Sequence, residues 1–122
     1  MKNVMIVLKV NSMSKATTFY CDELGLFELG QDFGMGQISL EGKENKNIRL
    51  LLQEGMPQAM GLLFNLAVND CDAVFERLKS VPFKTGALLL NEEIFEYPLG
   101  KNVTLKDPAG NMFLLYEDYS QR

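Results

Sequence analysis

The sequence predicts an α+β fold built from two βαβββ modules, one over residues 1–53 and one over 62–122, joined by a connector at 54–61. Three observations lead there. The order strand, helix, strands runs once to Gln53 and begins again at Leu62. KVNSM (9–13) is echoed by AVNDC (67–71), each closing a strand with Val-Asn and opening a helix with a capping residue. NIRLLLQE (47–54) is echoed by NMFLLYED (111–118), in the same order along the chain. A length of 122 residues, 47% of them hydrophobic, suits a single domain with a substantial core.

Each element has a local reason. Val4 to Val10 is rich in β-branched residues and reads as a strand. Ser12 and Ser14 are candidate N-caps for a helix over 15–24, with Ala16, Phe19, Tyr20 and Leu24 at helical spacing and Gly25 as its stop. Leu26 to Leu29 is a short strand, after which Gly30, Gly34 and Gly36 mark turns or bulges. Gln37 to Leu40 and Ile48 to Gln53 follow as strands around the polar turn GKENKN. In the second module Leu62 to Val68 is a strand, Asp70 an N-cap, and Cys71 to Ser80 a helix with Val74, Phe75 and Leu78 on its apolar side. Lys84 to Leu89, Ile94 to Tyr97, Val103 to Leu105 and Asn111 to Glu117 complete the strands, the last entered through the turn DPAGN.

Composition excludes several function classes. Net charge −4 argues against a nucleic-acid or anionic-membrane surface. No apolar run approaches the length of a membrane span, and MKNVMIVLKVNS fits a first strand better than a signal peptide. Two cysteines make no disulfide framework, so a cytoplasmic setting is expected. There is no histidine, which removes Ser-His and Cys-His nucleophiles and ordinary zinc sites.

VNSMSKATTFYCDELGL (10–26) and KDPAGNMFLLYE (106–117) resemble the strand-helix opening, with its FY and LG, and the closing DP-x-GN strand of the vicinal oxygen chelate superfamily. That superfamily includes glyoxalase I, extradiol dioxygenases, fosfomycin-resistance enzymes and bleomycin-resistance-type binding proteins. The resemblance spans nearly the whole chain. It implies a curved mixed sheet wrapped around a cleft. It also implies that metal-dependent members place four ligands, mostly His and Glu, in that cleft. Carried over one at a time, the positions fall on Met5, Leu63, Leu114 and, through the second echo, Leu50. None offers the oxygen, nitrogen or thiolate donor a divalent metal needs, so the cleft is expected to hold no metal and no cofactor.

Strand alternation then assigns a cleft lining: Met5, Val7 and Lys9; Leu63, Asn65 and Ala67; Leu50 and Leu52; Met112, Leu114 and Tyr116. An apolar surface with a few polar points suits a small molecule of unknown identity, for which the net charge is compatible with a cation, or else a filled core. The expected function is metal-independent binding similar to the bleomycin-resistance branch, with no catalytic residues and a homodimer as the working state. Two alternatives stand beside it. One is a metal-dependent lyase, isomerase or dioxygenase using non-standard ligands such as Glu54, Gln53 and Glu117, of which a one-residue slip of register would bring Gln53 and Glu117 inward. The other is a degenerate module kept for association. Elsewhere, Phe19-Tyr20 reads as core, Cys71 as a buried or idle thiol despite its helix N-terminus, NEEIFEY (91–97) as a solvated face, and Met56 and Met60 as connector residues able to line a ligand mouth.

Overall fold

Capped turns organise both halves of the computed structural model, which describes residues 1–57 and 61–121. Ser12 accepts a hydrogen bond from the Lys15 amide and Asp70 from the Ala73 amide, so each first strand is followed at once by a helix. The first half runs β1 (Val4–Val10), α1 (Met13–Thr18), a π turn (Phe19–Glu23), β2 (Phe27–Gly34), β3 (Gln37–Gly42) and β4 (Ile48–Glu54). The second runs β5 (Leu62–Ala67), α2 (Cys71–Lys79), β6 (Leu88–Leu89), β7 (Phe95–Tyr97), β8 (Gly100–Lys106), β9 (Met112–Asp118) and a closing 3-10 turn at Tyr119–Gln121. The connector expected at 54–61, including Met60, lies partly outside the described residues.

The strands form two mixed sheets. In the first the order is β1-β4-β3-β2, with β1 parallel to β4 and the other pairs antiparallel. In the second it is β5-β9-β8, with β5 parallel to β9, and β6 and β7 both lie against β8. Parallel pairing of the first and last strand of a module requires a crossover, and the helix supplies it.

Several elements differ from their sequence expectation, each for a local reason. The first helix starts at Met13 and widens into the π turn, where the Leu24 amide donates to the Phe19 carbonyl at 2.7 Å. β2 continues past the glycine that was expected to end it. A side chain at Gly30 would stand 2.8 Å from the Ser39 carbonyl, so the bare backbone lets the strand bulge there, and the Gln31 amide donates to Ser39 Oγ. The strand expected over 84–89 shrinks to Leu88–Leu89. At the end that is lost, the Lys84 amide and the Thr85 hydroxyl donate to the Glu23 carboxylate instead of to a neighbouring strand.

One buried cluster draws on both halves. Leu8, Val10, Leu50 and Leu52 from the first sheet meet Phe113, Leu115, Val103 and Leu105 from the second, with Phe19, Tyr20, Phe75 and Leu78 from the helical segments between. Phe19 and Tyr20 are fully buried; Phe19 sits edge-on to Phe113 at 6.1 Å, and Phe113 stacks on Phe64 at 4.8 Å.

Polar ties fasten the halves at two places. Asp107 is buried and accepts from Tyr20 Oη at 2.8 Å and from the Ala109 amide, the Asn111 amide and Asn111 Nδ2 at 2.9 Å each. Asn111 Nδ2 also donates to the Lys9 carbonyl at 2.9 Å. The DPAGN turn therefore grips both α1's extension and β1. At the other place, Arg77 of α2 donates to the carbonyls of Asp22, Glu23 and Leu24, which the end of the π turn leaves unpaired. The Glu23 carboxylate accepts from the Lys84 amide and the Thr85 hydroxyl.

Candidate functional site

Alternation along the strands separates a face packed on the helices from an open face. In β1, Leu8 and Val10 are buried, whereas Met5 and Val7 are 48% and 53% exposed. In β9, Phe113, Leu115 and Glu117 are buried, and Met112, Leu114 and Tyr116 are half-buried. The open face of the first sheet can be read from its register: Met5 beside Arg49 and Glu41, Val7 beside Leu51 and Ser39, Lys9 beside Gln53 and Gln37. That of the second carries Asn65 beside Leu114 and Thr104, then Ala67 beside Tyr116, Asn102 and Phe95.

Met5, Val7, Lys9, Asn65, Met112, Leu114 and Tyr116 thus occupy open faces, and Leu63, which falls at an irregularity in the pairing between Leu62 and Phe64, is 42% exposed. Leu50 and Leu52 lie on neither open face: both are 0% exposed and turned into the core. The correction is one of register. Val7 and Asn65 each stand three residues before the Val of the Val-Asn pair, and they lie beside Leu51 and Leu114. The echo of NIRLLLQE with NMFLLYED is therefore one residue out, and one residue turns a side chain to the other face. Leu51 replaces Leu50 as the counterpart of Leu114, and Gln53 replaces Leu52 on the open side. Glu117 points the opposite way, accepting from the Cys71 amide at 3.0 Å. Sequence reasoning missed Arg49 and Leu51; the Val-Asn pairs, used as the origin for counting, were the signal that locates them.

The four carried-over positions, with Leu51 in place of Leu50, hold one thioether and three aliphatic side chains. Another carboxylate group lies on the packed side, where oxygens of Asp70, Asp72 and Glu117 come within 4.8 Å of one another. Each is already engaged: Asp70 caps α2, Asp72 pairs with Lys101, and Glu117 holds the Cys71 amide.

The open faces carry several polar groups, among them Lys9, Arg49, Glu41, Asn65 and Tyr116. Gln53 donates to Gln37 at 3.3 Å, and Arg49 approaches Glu41 at 4.0 Å. The thiols lie elsewhere. Burial, reinforced by Asp72 and Glu117, pushes the Cys71 thiol up to about 11, which overrides the helix N-terminus. Burial and the neighbouring Asp22 also raise Cys21.

Two concavities adjoin the end of β5. One, of about 350 Å³, is lined by Ala67, Val68, Asn69, Tyr116, Glu117, Asp118 and Gln121, and so includes two of the expected lining residues, Ala67 and Tyr116. The other, of about 480 Å³, lies between the halves, with Leu26, Phe27, Ile48 and Leu66 as its floor and Lys43, Asn45 and Asn69 among its walls; of the expected lining it includes Ala67. Glu92 and Glu93 of NEEIFEY are solvated, and Met56 is exposed. No helix among the described residues is long and apolar enough to cross a membrane.

No family model matches the chain, and no curated protein matches it. Solved structures do. TnmS3, an antibiotic binding protein from Streptomyces sp. CB03234, is similar at TM-score 0.73 and 24% identity over 97% of this chain and 96% of that one. A member of the glyoxalase/bleomycin resistance protein/dioxygenase superfamily from Sphaerobacter thermophilus DSM 20745 is similar at 0.73 and 21%, over 97% and 98%. A lactoylglutathione lyase from Agrobacterium tumefaciens is similar at 0.70 and 18%, over 93% and 91%. At these identities the likeness shows the fold: the chain has the glyoxalase/bleomycin-resistance fold, which is that of the vicinal oxygen chelate proteins.

Proposed function

We propose that this protein binds a small molecule without a metal, burying it against the open sheet faces, and that it works as a homodimer. The carrying observation is the chemistry of Met5, Leu51, Leu63 and Leu114, which offer a ligand apolar contact and a metal almost nothing. Exposed Met5, Val7, Leu63 and Phe95 support the same reading, because apolar surface left in water on one face is surface that a ligand or a second copy covers. The fold is shared with an antibiotic binding protein and with a lactoylglutathione lyase, so the choice of binding over turnover rests on Met5, Leu51, Leu63 and Leu114 and not on the fold. Two free thiols fit a reducing, cytoplasmic setting. A second reading, association alone, is favoured by one observation: Met5, Val7, Leu63 and Leu114 line neither of the two concavities.

A thermal-shift screen of antibiotics and aromatic metabolites, run with chelator and again with zinc, nickel or manganese, tests this. The expected result is a rise in melting temperature with at least one compound, unchanged by chelator. A stoichiometric, tightly held divalent ion in protein purified without chelator would overturn metal independence. A dimer that no compound stabilises would leave association as the function.

A further inference from the structure

Two cations of the open face, Arg49 and the exposed Lys9, make no side-chain hydrogen bond among the described residues, and of the two Arg49 has a buried N–H left without an acceptor. Leu50 and Leu52 turn into the core, so Arg49 faces the other way, flanked by Met5 on β1 and Glu41 on β3. A guanidinium has five N–H donors. Among the described residues Arg49 makes one ion pair, to Glu41 at 4.0 Å, which is beyond hydrogen-bond distance. Its Nε is shut off from water and finds no acceptor. Buried donors without partners are uncommon in folded proteins and destabilise them.

The contrast with Arg77 is direct. That guanidinium is committed to three carbonyls at the seam between the halves. Arg49 has no such structural task, and its side chain remains 38% exposed beside Met5, Val7 and Leu51. An apolar surround strengthens a pairing made there, and the planar fork suits a carboxylate or similar oxyanion.

The other charges on this face leave the place open. Glu28 pairs with Lys46 at 3.3 Å, and Lys9 lies four residues along β1 from the Met5–Arg49 level. Glu41 is the remaining anion, and its contact with Arg49 is long. With a net charge of −4 the protein does not attract anions as a whole, so recognition of one must be local.

We infer that the ligand of the open face is an apolar or aromatic body bearing an oxyanion, with its charge seated on Arg49. This rests on the binding reading above and narrows it from any small molecule to an anion, the reverse of what net charge alone suggests.

The test compares two fluorescent probes of nearly the same ring system, the anionic 8-anilinonaphthalene-1-sulfonate and the neutral N-phenyl-1-naphthylamine. Each is titrated into wild type, Arg49→Met and Arg49→Lys. Wild type is expected to bind the anion at least about tenfold tighter than the neutral probe. Arg49→Met should abolish that preference while leaving the neutral probe within about twofold, and Arg49→Lys should retain part of it. The melting temperature of Arg49→Met should hold or rise, since it removes an unpaired donor. Equal wild-type affinities, a preference that survives in Arg49→Met, or a marked fall in its melting temperature would each overturn the role of Arg49 while leaving binding intact. Failure of both probes to bind would overturn this inference and the binding reading together.

Discussion

In the first module the strand after the helix runs unbroken over Phe27–Gly34, while in the second the same place beside the sheet is filled by two pieces, Leu88–Leu89 and Phe95–Tyr97. The turns before the last strands differ as well. GKENKN in the first module bonds within that module, the Asn47 amide donating to Asn45 Oδ1, the Lys43 amide to the Leu26 carbonyl and the Val4 amide to the Asn47 carbonyl. DPAGN in the second reaches across to Tyr20 and Lys9. The open faces differ in their mix: the first sets Lys9, Arg49 and Glu41 beside Met5, Val7 and Leu51, and the second sets Asn65, Asn102, Thr104 and Lys106 beside Met112, Leu114, Tyr116 and Phe95. A duplicated plan has thus diverged, with the second module's last turn fastening it to the first and the first module's open face carrying the Arg49–Glu41 pair.

The strongest way to break this comparison is at the turns. Asp107→Ala leaves four donors without their acceptor in a buried place and should cost about 4 kcal/mol in urea unfolding. Asn45→Ala in the matching turn should cost less than about 1 kcal/mol, because its bond is exposed and local. Equal effects would show that the turns are equivalent.

Next comes the register. Leu50→Ala should cost about 3 kcal/mol and Leu114→Ala about 1 kcal/mol, since only the first empties a fully buried site. The reverse order would restore the alignment suggested by the echo.

A smaller effect is expected from pH. Burial, with the charge of Asp107 and the bond to it, holds the Tyr20 phenol well above its usual range. Tyr20 in the unfolded chain loses its proton near pH 10 and in the folded chain does not, so its contribution is complete below about pH 10 and falls as pH rises further. Tyr20→Phe should cost about 1–1.5 kcal/mol at neutral pH and flatten the alkaline loss of stability. A slope unchanged in Tyr20→Phe would assign it to other groups.

The mildest test compares one thiol from each module. Iodoacetamide at about pH 8 should leave Cys71 unmodified and react slowly at Cys21, which is half-buried, until denaturant exposes both. Faster labelling of Cys71, read by mass spectrometry, would contradict its raised pKa.

Much of the fold was legible because its signals are local. Ser12 and Asp70 cap their helices as their positions suggest, and Gly34, Met35 and Gly36 form the turn that the glycines mark, with φ of +72°, +55° and +74°. The site was legible only in part. Met5, Val7, Leu63 and Leu114 could be placed by alternation from a known origin. Leu50 and Leu52 could not, because four of the residues from 48 to 52 are apolar and the run suits either face. Asp107 and Asn111 read as turn formers, and nothing in DPAGN indicates that their side chains bond Tyr20 Oη and the Lys9 carbonyl.

By itself the sequence determined the repeated βαβββ order, the caps and turns that divide it, and the lack of metal donors at the four carried-over positions, since residue type and short-range spacing are enough for each. The tertiary structure decided which way β4 faces, which residues join the halves, and that Arg49 stands on the open side without a hydrogen-bonded partner among the described residues. Those outcomes depend on the parallel pairing of strands forty or more residues apart, where a shift of one residue leaves every local preference unchanged and reverses every side chain.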